Sequence, residues 1–174
     1  MAVELPCTLR SIRVVWSVRR EDCVNILNTA RELSSMSDTT RLQAMTDRST
    51  FHQLFQPSVL KADAEALKLS VKGHMRSTLE RQPGTGQWHG GAASPLADTL
   101  GCYALALLWG GTLPKVNLRT DYSRLGVETD LVVQAVVRRA RSTIGVVYLD
   151  VLDSETRLVA AGRATYSTHG DWAA

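Results

Sequence analysis

The sequence has 174 residues, enough for one domain with a substantial core, and 44% of them are hydrophobic and 21% charged, as in ordinary globular proteins. Its formal net charge of +3 is too small to predict a nucleic-acid-binding protein. No apolar run reaches the roughly 18 residues that a membrane-spanning helix needs. Three cysteines without C-x-x-C spacing predict neither disulfides nor a zinc site, which favours a cytoplasmic protein.

The first part of the chain is its least regular part. We predict an N-terminal extension over residues 1–39, partly helical or disordered, ahead of a single domain over residues 40–170. Three roles are open for the extension: a lid or interface helix, a weak targeting segment, or translation from a start codon upstream of the true start at Met36. We favour the last of these.

The rest of the sequence predicts one short helix, one long helix and six strands. In chain order these are a helix over 40–55, strands over 58–62 and 65–71, a loop over 73–88, a helix over 92–109, and strands over 113–123, 129–140, 142–153 and 156–168. Connections of two to five residues between the last four strands predict antiparallel pairing. Because the long helix is apolar on nearly all sides, it must be buried, and we expect the sheet to wrap around it.

Two glycines open the long helix. Gly90 and Gly91 follow His89 at the end of the loop. A helix N-terminus presents free N–H groups and the positive end of the helix dipole, which together make an anion or oxyanion site. The alternative is that the glycines only permit a tight turn from loop to helix.

Asp98 is the one ordinary charged side chain in the apolar helix. A carboxylate there is costly unless it is paired or faces a cavity. Asp98 is therefore either a structural acid that caps backbone N–H groups or a general base or nucleophile. Eight residues separate it from Gly90, roughly 12 Å along a helix. Both groups can act on one carbonyl only if the site combines two copies of the chain, which predicts a dimer.

The segment Gln87–Thr99 resembles the signature of hotdog-fold acyl-CoA thioesterases of the phenylacetate-degradation, PaaI-like, type. It has His-Gly-Gly and then Ala-Asp-Thr, with the acid seven residues after the second glycine. Residues 116–122 and 160–166 resemble later strands of that family, so the resemblance covers about residues 47–168. It implies an α+β hotdog fold, a six-stranded antiparallel sheet around one helix, in a homodimer or a dimer of dimers (a homotetramer).

The resemblance also implies roles for individual residues. The N–H of Gly90 would polarise the thioester carbonyl, and Asp98 of the facing subunit would activate water or attack directly. His89 would shape the loop or contact substrate, which makes it a weaker catalytic candidate than Asp98. Further predicted substrate contacts in the same segment are Trp88, Gly91 and Thr99.

Two positions depart from the family pattern. Many relatives carry an Asn or Gln shortly before His-Gly-Gly, and here Gln82 is a loose candidate for that substrate contact. Some relatives place Ser or Thr at the start of the strand after the helix to position water, where this chain has Lys115. That role is missing or replaced here, which affects rate and substrate choice more than reaction type.

The phosphates of coenzyme A would need cations. The best match is the bend that holds Arg138, Arg139 and Arg141, with Arg163 and Lys115 as secondary candidates. The alternative is a solvated hairpin end. The four histidines show no paired metal spacing, so we predict no metal and no cofactor, coenzyme A being part of the substrate.

Together these observations predict a thioesterase that hydrolyses an acyl- or aryl-CoA to free acid and CoA, with neither nucleic acid nor membrane as a partner. The runner-up is a non-catalytic hotdog module that binds acyl-CoA or an acyl carrier as a sensor. A hydratase is a third option, disfavoured because no Asp/His pair has that family's spacing. The acyl group is not determined by the sequence.

Overall fold

A computed structural model describes residues 37–169. Its helices and strands are α1 (Asp38–Arg48), β1 (Ser58–Asp63), β2 (Lys68–Gly73), α2 (Gly90–Trp109), β3 (Lys115–Tyr122), β4 (Leu131–Ala140), β5 (Ile144–Leu152) and β6 (Leu158–Ser167). Short 3₁₀ turns lie at His52–Leu54 and Ser77–Leu79. The predicted extension lies outside the described residues except at its end, where Ser37 caps α1 by accepting a hydrogen bond from the N–H of Thr40.

The six strands form one antiparallel sheet in the order β1-β2-β4-β5-β6-β3. Strands β4, β5 and β6 pair in chain order as a meander, as predicted. The expected pairing of β3 with β4 is wrong: β3 pairs with β6 at one edge of the sheet, and the segment between β3 and β4 bridges to Gln87 through Val127 instead. Helix α2 packs on the sheet and is buried along most of its length. This architecture, one long helix against a six-stranded antiparallel sheet, confirms the predicted fold class.

Helix α2 is long and apolar enough, by composition alone, to cross a membrane. Its burial against the sheet accounts for that composition. The helix begins two residues earlier than predicted, at Gly90, because His89 caps it through its side chain. Pro95 lies in the second turn of this helix. The helix ends at Trp109, and the next residue, Gly110, has a φ of 77°, a left-handed conformation that glycine adopts without strain.

Two other element boundaries differ from the prediction by more than two residues. The first helix ends at Arg48 instead of continuing to Phe55, because the Thr46 hydroxyl donates to the Gln43 carbonyl and the chain then turns into a 3₁₀ segment. Strand β2 begins at Lys68 instead of residue 65. The preceding residues form a turn in which the Ala66 N–H donates to the Asp63 carboxylate.

Candidate active site

The first turn of α2 leaves one backbone N–H group available. The N–H of Gly91 donates to His89 Nδ1 at 2.9 Å. Those of Ala92 and Ala93 donate to the His89 carbonyl at 2.8 and 3.2 Å. The N–H of Gly90 has no hydrogen-bond partner among residues 37–169. Gly90 is thus the backbone donor at this helix terminus that a ligand oxygen can use.

Gly90 lines a cavity of about 200 Å³ with a cationic wall. The residues around it include Arg81, His89, Tyr122 and Arg124. The Tyr122 hydroxyl donates to the Gly90 carbonyl at 2.6 Å and so fixes β3 against the start of α2. Because His89 Nδ1 accepts from Gly91, the neutral ring carries its hydrogen on Nε2. The cavity therefore combines a backbone N–H with two guanidinium groups, a set suited to anionic ligands.

Asp98 faces a second cavity, of about 360 Å³, on the same helix. Its side chain is 30% exposed, and its Oδ2 atom forms an ion pair with the ammonium group of Lys115. The carboxylate makes no contact with a backbone N–H among the described residues, so it is not the structural cap considered above. The Asp98 backbone carbonyl accepts from the Tyr166 hydroxyl at 2.8 Å, which anchors this turn of the helix on β6.

A buried histidine borders the Asp98 cavity, and sequence reasoning missed it as a site residue. His52 lies in the 3₁₀ turn after α1 and is 9% exposed. Its Nε2 atom lies 3.2 Å from the hydroxyl of Thr99, and its ring packs edge-on against Tyr103. Burial lowers the pKa of His52. The sequence held no signal for this role, because the contact joins residues 47 positions apart.

Cys102 also lines the Asp98 cavity. Its sulfur accepts from the N–H of Leu113 at 3.3 Å and lies 3.6 Å from the same residue's carbonyl. Burial raises the pKa of this thiol. A protonated, hydrogen-bonded thiol is a poor nucleophile, so Cys102 serves here as a packing residue.

The cavities at Gly90 and at Asp98 share no lining residue. Each opens on a different stretch of α2, as the spacing along the helix predicts. Within one copy of the chain, the available N–H and the carboxylate therefore do not meet at one position.

The other predicted site residues are scattered. Trp88 is 3% exposed and donates through Nε1 to the Thr129 carbonyl, while one side of it lines the Gly90 cavity. Gln82 is exposed and lines neither cavity. Arg138 lies 5.3 Å above the ring of Tyr148 on the outer face of the sheet. Arg139 and Arg141 are also exposed, and the three arginines line neither cavity of the same copy.

A second histidine has the connectivity of a nucleophile triad. His74 Nε2 lies 3.2 Å from the Ser58 hydroxyl, and Nδ1 lies 3.1 Å from the Asp130 carboxylate. The N–H that follows the serine, that of Val59, already donates to Gln43 at 2.8 Å and cannot serve as an oxyanion donor. Asp130 also accepts from the N–H of Met75. The cluster therefore ties the start of β1 to the start of β4.

Comparison with known proteins identifies the class. The family model described as Thioesterase superfamily matches residues 85–160. A protein of Halobacterium salinarum, named as a candidate esterase, is 32% identical over 128 residues, which are 66% of this chain and 81% of that protein. The chain therefore belongs to the thioesterase superfamily. It is a thioester hydrolase, which favours the enzyme over the non-catalytic module.

Solved structures place the chain within that superfamily's fold. A thioesterase-superfamily protein superposes with a TM-score of 0.70 at 29% identity, over 76% of this chain and 98% of its own. The E. coli PaaI protein from the phenylacetic acid degradation operon superposes with a TM-score of 0.66 at 20% identity, over 76% of this chain and 94% of its own. The predicted hotdog fold and membership of the thioesterase superfamily are confirmed, and the PaaI-like type stays a prediction.

Proposed function

We propose that this protein hydrolyses acyl-CoA thioesters at a site shared by two copies of the chain. Gly90 of one copy donates its N–H to the thioester oxygen, and Asp98 of the other supplies the carboxylate. The observation that carries the proposal is the position of Asp98, a half-buried acid on the apolar core helix that opens into a cavity. A partly buried carboxylate that faces a cavity is the kind of group that enzymes use to act on a reacting atom.

The oxyanion role of Gly90 is supported by the hydrogen bonds around it. The N–H groups of the next three residues are bonded to His89, which leaves the Gly90 N–H available at this terminus among the described residues. A backbone donor costs no reorganisation when negative charge develops on the carbonyl oxygen. His89 acts here as the residue that shapes the loop and the cap, since its Nδ1 atom is used by Gly91.

One oxygen of the Asp98 carboxylate forms an ion pair, and the other is available to a substrate or water. Oδ2 pairs with Lys115, which leaves Oδ1 to take a proton from water or to attack the carbonyl carbon. Lys115 stands at the strand start where some relatives use a hydroxyl, so it replaces a water-positioning group with a cation that orients the base.

A dimer is supported by the edge of the sheet. Strand β3 pairs with β6 on one side only, and its other side has no strand partner in residues 37–169. Val116 on this strand is 63% exposed, an unusual position for a large apolar side chain in a strand. The two ends of β3 contact the two halves of the site, Lys115 at Asp98 and Tyr122 at Gly90. A second copy that pairs antiparallel along this edge would therefore bring its Gly90 toward Asp98.

The CoA phosphates have two sets of cations available. Arg81 and Arg124 lie beside Gly90, whereas Arg138, Arg139 and Arg141 lie near the β4–β5 turn. The pantetheine arm of CoA separates the thioester from the phosphates, so sharing a cavity with Gly90 does not decide between the two sets. Both sets are candidates for the phosphate contacts.

The Gly90 N–H can be removed without disturbing the helix. Proline is favoured at the first helical position, and His89 already has the extended conformation that precedes proline, with ψ of 129°. In a thiol-release assay over aryl, short, medium and long acyl-CoAs, Gly90→Pro should lower kcat on the best substrate by about 10²–10³-fold. Gly90→Ala, which keeps the N–H, is the matched control.

Asp98→Asn tests the carboxylate in the same assay, with an expected loss of about 10²–10⁴-fold in kcat. A folded Asp98→Asn protein with full activity would contradict the proposal. So would a wild-type protein that binds every acyl-CoA of the panel and turns over none, because that result would define a binding module.

A further inference from the structure

The Thr99 hydroxyl borders the Asp98 cavity and is within hydrogen-bond distance of His52. Thr99 Oγ1 lies 3.2 Å from His52 Nε2, and both residues line the cavity that contains the carboxylate. The other ring nitrogen of His52, Nδ1, lies 3.3 Å from the Thr46 carbonyl and 3.4 Å from the Tyr103 hydroxyl. The mechanism above uses none of these contacts.

The surroundings of His52 determine which ring nitrogen carries the hydrogen. A carbonyl oxygen can only accept, so Nδ1 beside Thr46 must be the N–H nitrogen. Burial raises the pKa of Tyr103 to about 12, so its hydroxyl stays protonated and donates to the Met45 carbonyl at 3.3 Å. The tyrosine oxygen can then accept from Nδ1 as well. Because burial also lowers the pKa of His52, the ring is neutral and Nε2 has a lone pair.

This tautomer fixes the direction of the Thr99 hydroxyl. Nε2 can only accept, so Thr99 donates its single hydrogen to His52 and presents lone pairs to the cavity. Asp98 beside it is also an acceptor, and Lys115 is a donor already paired with Oδ2. The cavity thus presents two acceptors from adjacent positions of α2, which suits a molecule with two hydrogens to donate.

We infer that His52 is a positioning residue, and that Thr99 is the second acceptor for the water molecule that Asp98 activates. The inference rests on the proposed function and selects water over direct attack by the carboxylate. The water donates one hydrogen to Asp98 Oδ1 and the other to Thr99, which directs its lone pair at the thioester carbon.

The chemical step balances with these groups alone. The water oxygen bonds to the carbonyl carbon while its proton passes to Asp98. The tetrahedral intermediate then collapses, the C–S bond breaks, and the CoA thiolate takes the proton from Asp98. Thr99 and His52 exchange no proton in this step; they hold the water, and direct attack by Asp98 would have no use for them.

The test compares four variants on the best acyl-CoA of the panel. Thr99→Val keeps the side-chain shape without the hydroxyl, and should lower kcat about 10- to 100-fold with KM changed less than about threefold. Thr99→Ser keeps the hydroxyl and should recover most of kcat. His52→Phe keeps a ring but loses the acceptor, so its kcat should fall as in Thr99→Val. The double variant should be no slower than the slower single variant, because the two residues act as one unit.

Asp98→Asn separates this inference from the proposed function. If Asp98→Asn retains activity, the proposed function fails. If Asp98→Asn is inactive but Thr99→Val and His52→Phe retain wild-type kcat, only the role of the Thr99–His52 pair is overturned. A double variant whose losses multiply would also overturn it. Thermal unfolding of each variant checks that a lower kcat does not result from loss of the folded state. A folded Thr99→Val protein is sufficient to decide between these outcomes.

Discussion

At the scale of single residues, the ion pair between Asp98 and Lys115 is the contact that most distinguishes this site. Both side chains are about one-third exposed, so the pair contributes little to stability, on the order of 0–1 kcal/mol. The ion pair instead holds the Asp98 carboxylate in one orientation. A misplaced catalytic group loses rate even when the fold is intact.

The variant Lys115→Met removes the cation and keeps the length of the side chain. We expect kcat/KM to fall roughly tenfold while the free energy of unfolding changes by less than about 1 kcal/mol. Lys115→Arg, which keeps the charge, is the matched control and should lose less. Steady-state kinetics and urea unfolding measure the two quantities. A faster Lys115→Met enzyme would show instead that the ion pair restrains Asp98.

His52 makes stability depend on pH. Its ordinary pKa is 6.5, and burial lowers that pKa in the folded protein. Below pH 6.5 the unfolded chain therefore binds a proton that the folded protein does not, so the free energy of unfolding falls as the pH falls. Urea unfolding at pH 7 and pH 5 should show a larger loss for wild type than for His52→Gln. Equal losses in the two proteins would contradict this account.

The motif residues of the site can be predicted from the sequence, but the residues that contact them cannot. Gly90 and Asp98 can be predicted because helix periodicity and a costly charge in an apolar helix are local signals. The Asp98–Lys115 pair needs the crossing of β3 beside α2, and the contact of His52 with Thr99 needs the packing of the 3₁₀ turn on α2. Neither follows from local pattern. Arg81 and Arg124 were missed for the same reason.

At the scale of elements, the crossing of α2 over β6 depends on a close approach at Gly101. A Cβ atom at that position would overlap the hydroxyl of Tyr166, which is 1% exposed. That hydroxyl donates to the Asp98 carbonyl, so the contact also fixes the turn that carries the Asp98 carboxylate. The number of strands and the β4–β5–β6 meander could be predicted from the sequence, but the pairing of β3 with β6 and this contact depend on how the chain packs in three dimensions.

Gly101→Ala should therefore destabilise the protein by about 1–3 kcal/mol through overpacking. Tyr166→Phe removes the hydroxyl and should cost about 1 kcal/mol for the lost hydrogen bond. The double variant should be more stable than Gly101→Ala alone, because the group that the new methyl meets is gone. Chemical denaturation of the three proteins measures this. Purely additive losses would contradict the proposed close approach.

At the scale of the whole molecule, the two halves of the site are separated within one chain. Gly90 and Asp98 line different cavities that share no residue. Joint action of the two groups therefore requires a second copy that brings its Gly90 to this copy's Asp98. The sequence predicts this requirement from the spacing along α2, and the position of β3 at the sheet edge offers a surface for the second copy.

Heterodimers purified through two different affinity tags test this central claim most directly. One heterodimer combines an Asp98→Asn copy with a Gly90→Pro copy, and the other combines an unchanged copy with a copy that carries both substitutions. If the site is shared, the first retains one intact site and about half of the wild-type activity, while the second has none. If each copy holds a complete site, the first heterodimer is inactive and the second is half-active, and that result would contradict the account.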